Sequence, residues 1–491
     1  MRKLVPAVAF VASTFASTVV AAADEPNAPG GPASTSDAAA TDGATDGAAD
    51  GASAAPSATR KTYSLADALA LADKNHPQIL AARARLTKAE AQEREAQSAP
   101  FSLFKSSGGV GVVPELRGTT SYTPDNDIFA RRGAALGWRV DFSGVLPLWT
   151  FGKLDGLWDA AEANVGVHEK GVEKERDIVR LDVRRAYYGL LLARDGLLLL
   201  EDVTQQLDKA AARLEEKIAA FEGDQVDLFK LRTFSAEVVA RRAEAEKFET
   251  VALAGLRFYT GVADFDVPDE PLAAPTRTLE PVEVYIAASV ENRPEIGQAK
   301  KGLLAREALV RGREAGFFPD VGLGVNLGLG VAPGIDDQLS PFGQDPANFF
   351  RWGAGLVFQW NLDFVPQAAR LDQAEADLAE MHAIARLADE GVATEIRLAH
   401  AEVVDWQKRV DAYKESVKFA KKWLIYVQQG IDVGTIEDKE LLDPAKAYAL
   451  GRFSVMNATM ELDLAWAKLA RASGWDALAP TGVADPAPKA P

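Results

Sequence analysis

Three stretches of the chain alternate between apolar and small or polar residues, and a fourth does so more faintly. Val321, Leu323, Val325, Leu327, Leu329 and Val331 are interleaved with Gly322, Gly324, Asn326, Gly328 and Gly330. Trp352, Ala354, Leu356, Phe358, Trp360, Leu362 and Phe364 share one face, opposite Gly353, Gly355, Val357, Gln359, Asn361 and Asp363. Earlier, Ala134, Leu136, Trp138, Val140 and Phe142 oppose Arg139, Asp141 and Ser143. A fainter stretch runs from Phe101 to Val113. Period-two patterning predicts strands at about 101–113, 133–148, 319–331 and 352–364. Elsewhere the spacing is helical. Leu65, Ala68, Leu69 and Ala72 recur at i, i+3, i+4 and i+7, behind Ser64 and Asp67 in capping-box positions.

The pattern occurs twice. Asn75-His76-Pro77-Gln78-Ile79, a helical run to Arg94-Glu95-Ala96, and Pro100 are matched by Asn292-Arg293-Pro294-Glu295-Ile296, a run to Arg313-Glu314-Ala315, and Pro319. Further on, Asp227-Leu228 precedes Gly261 by the 34 residues that separate Glu440-Leu441 from Gly474. The chain reads as two copies, 62–262 and 282–475, joined by a connector at 263–281. Each copy is helix, two strands, long helix, turn, helix. Long helices are predicted over Lys153–Phe221 and Gln367–Gln429, each ~100 Å at 1.5 Å per residue. Half-length helices are predicted over Ser64–Ala99, the return to Gly261, Val282–Gly316 and Ile436–Ser473. Two halves end to end would match one long helix, so each copy builds an antiparallel pair.

Strands apolar on one face, polar or glycine-rich on the other, with aromatics near their ends, fit a transmembrane barrel. Four strands are too few, since about 8 is the minimum. Oligomerisation is therefore required: two chains supply eight strands and three supply twelve. The fold class is an α+β membrane protein built from a duplicated unit.

Composition adds export. Arg2 and Lys3, the apolar run from Leu4 to Val20, and Ala21-Ala22-Ala23 read as a signal peptide over 1–23. Residues 24–61 read as a disordered acidic tether and 476–491 as a disordered tail. A formal charge of −17 argues against nucleic acid as a partner. The absence of cysteine excludes disulfides, thiolate metal sites, cysteine nucleophiles and an acylated cysteine anchor. His76, His168, His382 and His400 are scattered. No metal, cofactor or catalytic constellation is evident, and no enzyme activity is expected.

The order of Ser64-Leu65-Ala66-Asp67-Ala68-Leu69, Asn75-His76-Pro77, Glu291-Asn292-Arg293-Pro294, Phe318-Pro319-Asp320, and Gly434-Thr435 through Leu441-Leu442 to Gly474 resembles the TolC family of outer-membrane efflux proteins. The resemblance covers about residues 62–475. It implies a homotrimer in the outer membrane: a twelve-stranded β-barrel continuous with a twelve-helix tunnel in the periplasm. It further implies a passive exit duct for efflux or type I secretion, with a periplasmic adaptor (membrane fusion) protein and an inner-membrane transporter as partners. A secreted or periplasmic coiled-coil scaffold or adhesin is the alternative; it leaves the strands unexplained. Near the second barrel exit, Asp363-Phe364-Val365-Pro366 departs from the glycine-containing turn the family leads one to expect.

Candidate functional residues follow from position. Acids mark both hairpin tips: Glu222, Asp224 and Asp227 at one, Asp432, Glu437, Asp438 and Glu440 at the other. Repeated around a symmetry axis they would form carboxylate rings at an entrance or gate, which favour cations; equally, acids cap helix N-termini. Gly223, Gly430 and Gly434 permit tight turns and, with Thr435, are candidate adaptor contacts. Arg139, Asp141, Gln359, Asn361 and Asp363 are candidates for the barrel lumen.

Overall fold

The computed structural model describes residues 61–118, 129–221, 223–275, 277–337 and 344–475. The expected signal peptide, the tether up to residue 60, the tail and Glu222 lie outside the described residues. The elements in chain order are α1 (Leu65–Asn75), α2 (Pro77–Ser98), β1 (Lys105–Arg117), β2 (Phe129–Trp149), α3 (Lys153–Ala219) and α4 (Gln225–Thr260). Then follow α5 (Val282–Asn292), α6 (Pro294–Ala315), β3 (Asp320–Val331), β4 (Phe349–Gln359), α7 (Phe364–Asp432) and α8 (Leu442–Ser473). The duplication is complete, element for element. No described helix is long and apolar enough to cross a membrane.

The opening helix of each copy, expected to be continuous, is broken. His76 and Arg293 take extended backbone at ψ 129° and 121°, each directly before a proline. Proline has no N–H and its ring pushes the preceding residue out of helical space. In the first copy the break is capped by histidine: His76 Nδ1 accepts from the Gln78 N–H at 3.3 Å. Burial holds the His76 pKa below its usual value, against a weaker opposing pull from Asp182, which favours the neutral, accepting ring. In the second copy, Arg293 joins Glu295 at 2.9 Å and Glu395 at 2.7 Å, and donates to the Arg471 carbonyl at 3.3 Å.

These breaks receive the ends of the return helices. α4 ends at Gly261 (φ +70°) and α8 at Gly474 (φ +79°), both left-handed. Asn75 Nδ2 donates to the Thr260 carbonyl at 2.8 Å. A Cβ on Gly474 would lie 2.5 Å from the Asn292 carbonyl carbon. Thus α4 abuts the α1–α2 break and α8 the α5–α6 break. Each stacked pair lies along one long helix: α2 and α4 on α3, α6 and α8 on α7. α3 also packs on α6 and α8. The four rods run in the order α2/α4, α3, α6/α8, α7.

Each copy buries its own core. Leu69, Ile79, Val179, Val183, Leu190 and Leu256 form the first, with Phe265 and Val267 of the connector inserted. Ile296, Ile396, Val403, Leu462, Trp466 and Leu469 are among the residues of the second. Arg194 of α3 fastens the connector, pairing with Asp266 at 2.5 Å and donating to the Val267 carbonyl at 2.9 Å.

The four strands form one antiparallel sheet in the order β1-β2-β3-β4. Because α2 leads into β1, β2 into α3, α6 into β3 and β4 into α7, strand order and rod order coincide. The strands run further than expected at their outer ends, β1 to Arg117, β2 from Phe129 and β4 from Phe349, and are shorter at two places. β1 starts later, because Ala99–Leu103, containing Pro100, forms a 3-10 turn. β4 stops at Gln359, paired with Asp320. Pro319, next along β3, has no N–H with which to extend that ladder.

Gly474→Ala is expected to cost ~2–4 kcal/mol, from left-handed backbone plus a backbone clash. Gly391→Ala, in open space on α7, should be neutral or stabilise by up to ~1 kcal/mol. Thermal unfolding of the two variants in detergent checks the contrast.

Candidate functional site: the two-faced sheet and the hairpin tips

The register sorts the sheet into two chemistries. Trp138 sits between Val110 and Val331, and Phe142 between Ser106 and Leu327, with Trp352 next across. Leu356 follows on the same face, beside Leu323. This face is open: Val110, Trp352 and Leu356 are 76%, 73% and 77% exposed. An apolar surface spread over four strands is far more than scattered surface hydrophobes account for. At the end that joins the helices lies an aromatic group. Phe151 stacks on Phe318 at 5.2 Å and meets Trp149 edge-on. The Trp360 indole donates to the Phe317 carbonyl at 3.0 Å.

The opposite face carries glycines and charges. Arg139 pairs in bidentate fashion with Asp141, the second bond being 3.1 Å. Gln359 ends β4 on this face, by its pairing with Asp320. Asn361 and Asp363 lie past the end of the strand. Asp363 occupies the N-cap position of α7, where it accepts from Gln367 Nε2 at 2.6 Å. Those two positions are therefore corrected from strand residues to residues of the strand-to-helix joint. Arg351, one pleat before Gly353, falls on the charged face and was overlooked; carrying the period of two backwards from Gly353 finds it.

The two hairpin tips lie beside each other. Leu442 of α8 packs on the Leu207, Ala211, Leu231 and Val238 cluster of α3 and α4. Lys446 Nζ stands 4.5 Å from the centre of the Phe234 ring. Asp224 caps α4, its Oδ1 accepting from the Val226 N–H at 2.9 Å. Asp227 pairs with Lys230 at 3.0 Å. Glu437 pairs with Lys439 and, with a weaker contribution from Asp227, raises that ammonium's pKa. Asp432 ends α7 and is exposed, as is Glu440. Asp438 opens a 3-10 turn (Asp438–Leu441); its side chain lies outside the described residues.

Gly434 is left-handed at φ +73°. The Gly430 carbonyl accepts from the Thr435 N–H at 2.9 Å, the Ile436 N–H at 3.1 Å and the Thr435 hydroxyl at 3.1 Å. Gly223 lies against Ile218, in the turn between α3 and α4. Sequence reasoning passed over Phe221, which is 99% exposed at φ +62°, and the exposed Val226, Phe229 and Val433 beside the acids. The only signal was an apolar residue against a helix-breaking Glu-Gly-Asp. Among the described residues, no three His, Asp or Glu side chains gather as a metal site.

Residues 286–475 match the family described as outer membrane efflux protein. Over those residues the chain is similar to outer membrane efflux proteins. That description places the family in the outer membrane and in efflux, and the resemblance to the TolC family stands. Solved structures share the fold over more than the domain. The outer membrane channel CmeC of Campylobacter jejuni is 18% identical, with TM-score 0.65, over 84% of this chain and 85% of that one. The outer membrane protein VceC of Vibrio cholerae is 18% identical, with TM-score 0.66, over 84% and 96%. The open state of the Neisseria gonorrhoeae MtrE outer membrane channel is 16% identical, with TM-score 0.68, over 84% and 88%. The shared fold includes the first repeat, which the family match does not reach. No curated protein matches the chain in sequence.

Asp224→Ala should cost ~1 kcal/mol by removing the cap of α4, whereas Asp224→Ser, which can still cap, should cost little. Urea unfolding of the detergent-solubilised variants, followed by helical circular dichroism, reads the difference.

Proposed function

We propose that three copies of this chain close into a twelve-stranded barrel over a twelve-rod tunnel and act as a passive exit duct. One observation carries the reading. The sheet is open at β1 and β4, is coated on one face with exposed apolar side chains, and its edge strands run into the edge rods α2 and α7. A lipid-exposed strand edge leaves backbone polar groups without water, at several kcal/mol each. Joining β4 of one copy to β1 of the next removes every edge. The same closure covers apolar residues on the edge rods, among them Phe248 and Val251 of α4 and Trp423 and Tyr426 of α7.

In this assembly the apolar face meets lipid and the charged, glycine-rich face lines the lumen. Arg139, Asp141, Gln359 and Arg351 point into the barrel, and Asn361 and Asp363 stand at the joint with the tunnel. The tips form the periplasmic entrance. Asp432, Glu437 and Glu440 are among its exposed acids; Asp224 and Asp227 double as capping and pairing groups; Asp438 belongs to the same turn of the chain. Gly223, Gly430, Gly434 and Thr435 shape the turns offered to a periplasmic adaptor. The energy comes from an inner-membrane transporter, in a tripartite efflux or type I secretion assembly. The scaffold alternative gives the exposed apolar face nothing to do.

Purified protein added to a planar lipid bilayer should produce uniform stepwise conductance. A protein that stays soluble without detergent and gives no steps contradicts the duct and favours the scaffold.

A further inference from the structure

Two glycines in β3 make room for a charged cluster on the polar face. Gly328 lies between Asp141 of β2 and Arg351 of β4; Gly330 lies between Arg139 and Phe349. A Cβ on Gly328 would come within 3.1 Å of Asp141 Oδ1 and 3.4 Å of Arg351 Cγ. One on Gly330 would come within 2.5 Å of the Phe349 ring. Side chains from β2 and β4 therefore meet over the bare backbone of β3. Phe349 leans across Gly330, with the Arg351 guanidinium 3.9 Å and the Arg139 guanidinium 5.5 Å from its ring centre. The ring holds both cations by its quadrupole without neutralising them.

The charges do not balance. Arg139 and Asp141 satisfy each other as a bidentate pair. Arg351 forms no ion pair among the described residues. Lys105, one pleat nearer the tunnel on the same face opposite Ser143, forms none either. Glu115 stands over Gly133 towards the outer end, six residues from Arg139 along β2, or ~20 Å at 3.3 Å per residue. That exceeds the Debye length of ~8 Å at physiological salt. The tip acids lie a whole long helix away, ~100 Å. Lys105 is ~7 Å from the cluster along the strand, inside the screening length. Among the described residues, each chain therefore carries three cations at that level, Arg139, Arg351 and Lys105, against the one carboxylate of Asp141, which also feels Arg351 across Gly328: an excess of two.

We propose that the barrel lumen carries a cationic ring, built from Arg351 and Lys105 with Arg139 held by Asp141, that binds anionic groups in transit: carboxylate, phosphate or sulfonate. This rests on the duct reading above. The conduit then has opposite signs at its two ends, acidic at the entrance and basic in the barrel. Rings of Arg and Lys favour anions as rings of Asp and Glu favour cations.

The test is bilayer recording of the full-length protein under a potassium chloride gradient, with inositol hexakisphosphate as an anionic blocker added on the barrel side. Arg351→Gln should lower the chloride-to-potassium permeability ratio by about twofold or more and weaken the block. Arg351→Lys should preserve both, which separates charge from packing. Arg351→Gln channels of normal conductance with an unchanged ratio and unchanged block overturn the ring and leave the duct standing. Wild-type protein that forms no channels overturns the duct and the ring together.

Discussion

The open edge of a four-stranded sheet governs this molecule. Its inner pairs are complete: β2 and β3 each have two neighbours, and the register is regular apart from shifts beside Pro114 and Pro147. β1 and β4 each have one. In water such an edge is a liability handled with charges or bulges. In lipid it must be paired, because no solvent satisfies the exposed N–H and C=O groups. The residues of the outward face are those of a lipid-facing surface, so the edge cannot be left to water. In the proposed duct that constraint calls for further copies, which also cover the apolar residues left open on α4 and α7.

The helical half answers a different constraint, that of length. A wall built from one continuous helix and two stacked ones needs the stacked pair to meet without losing backbone hydrogen bonds at the joint. The proline breaks at His76–Pro77 and Arg293–Pro294 create free ends, and the left-handed glycines Gly261 and Gly474 fit into them. The two joints are built alike but finished differently. The first uses an imidazole cap and an asparagine; the second uses a buried arginine with two carboxylates. Duplication preserved the geometry while the polar chemistry diverged.

Much of this was legible in the residue pattern. The period-two stretches and their bare alternate positions identified four strands and both faces. The paired Asn-x-Pro motifs and equal spacings to Gly261 and Gly474 exposed the repeat. What escaped is instructive. The prolines at 77 and 294 were in plain view, yet helical spacing continues on both sides of them and hid the breaks. The apolar alternation through Trp360, Leu362 and Phe364 extended β4 past its true end, because a strand needs a partner and Pro319 ends the partner's ladder. Arg351 was missed where a strand began earlier than its pattern suggested. Phe221 escaped because its exposure depends on a tight turn, which no periodicity announces.

The central claim is that three of these sheets join edge to edge into one closed barrel. Single-particle imaging of the detergent-extracted protein tests it most directly. The account predicts a three-fold symmetric particle with twelve strands in the ring and β4 of each copy beside β1 of the next. A monomer with an open sheet, or an assembly in which those two strands do not meet, would contradict it.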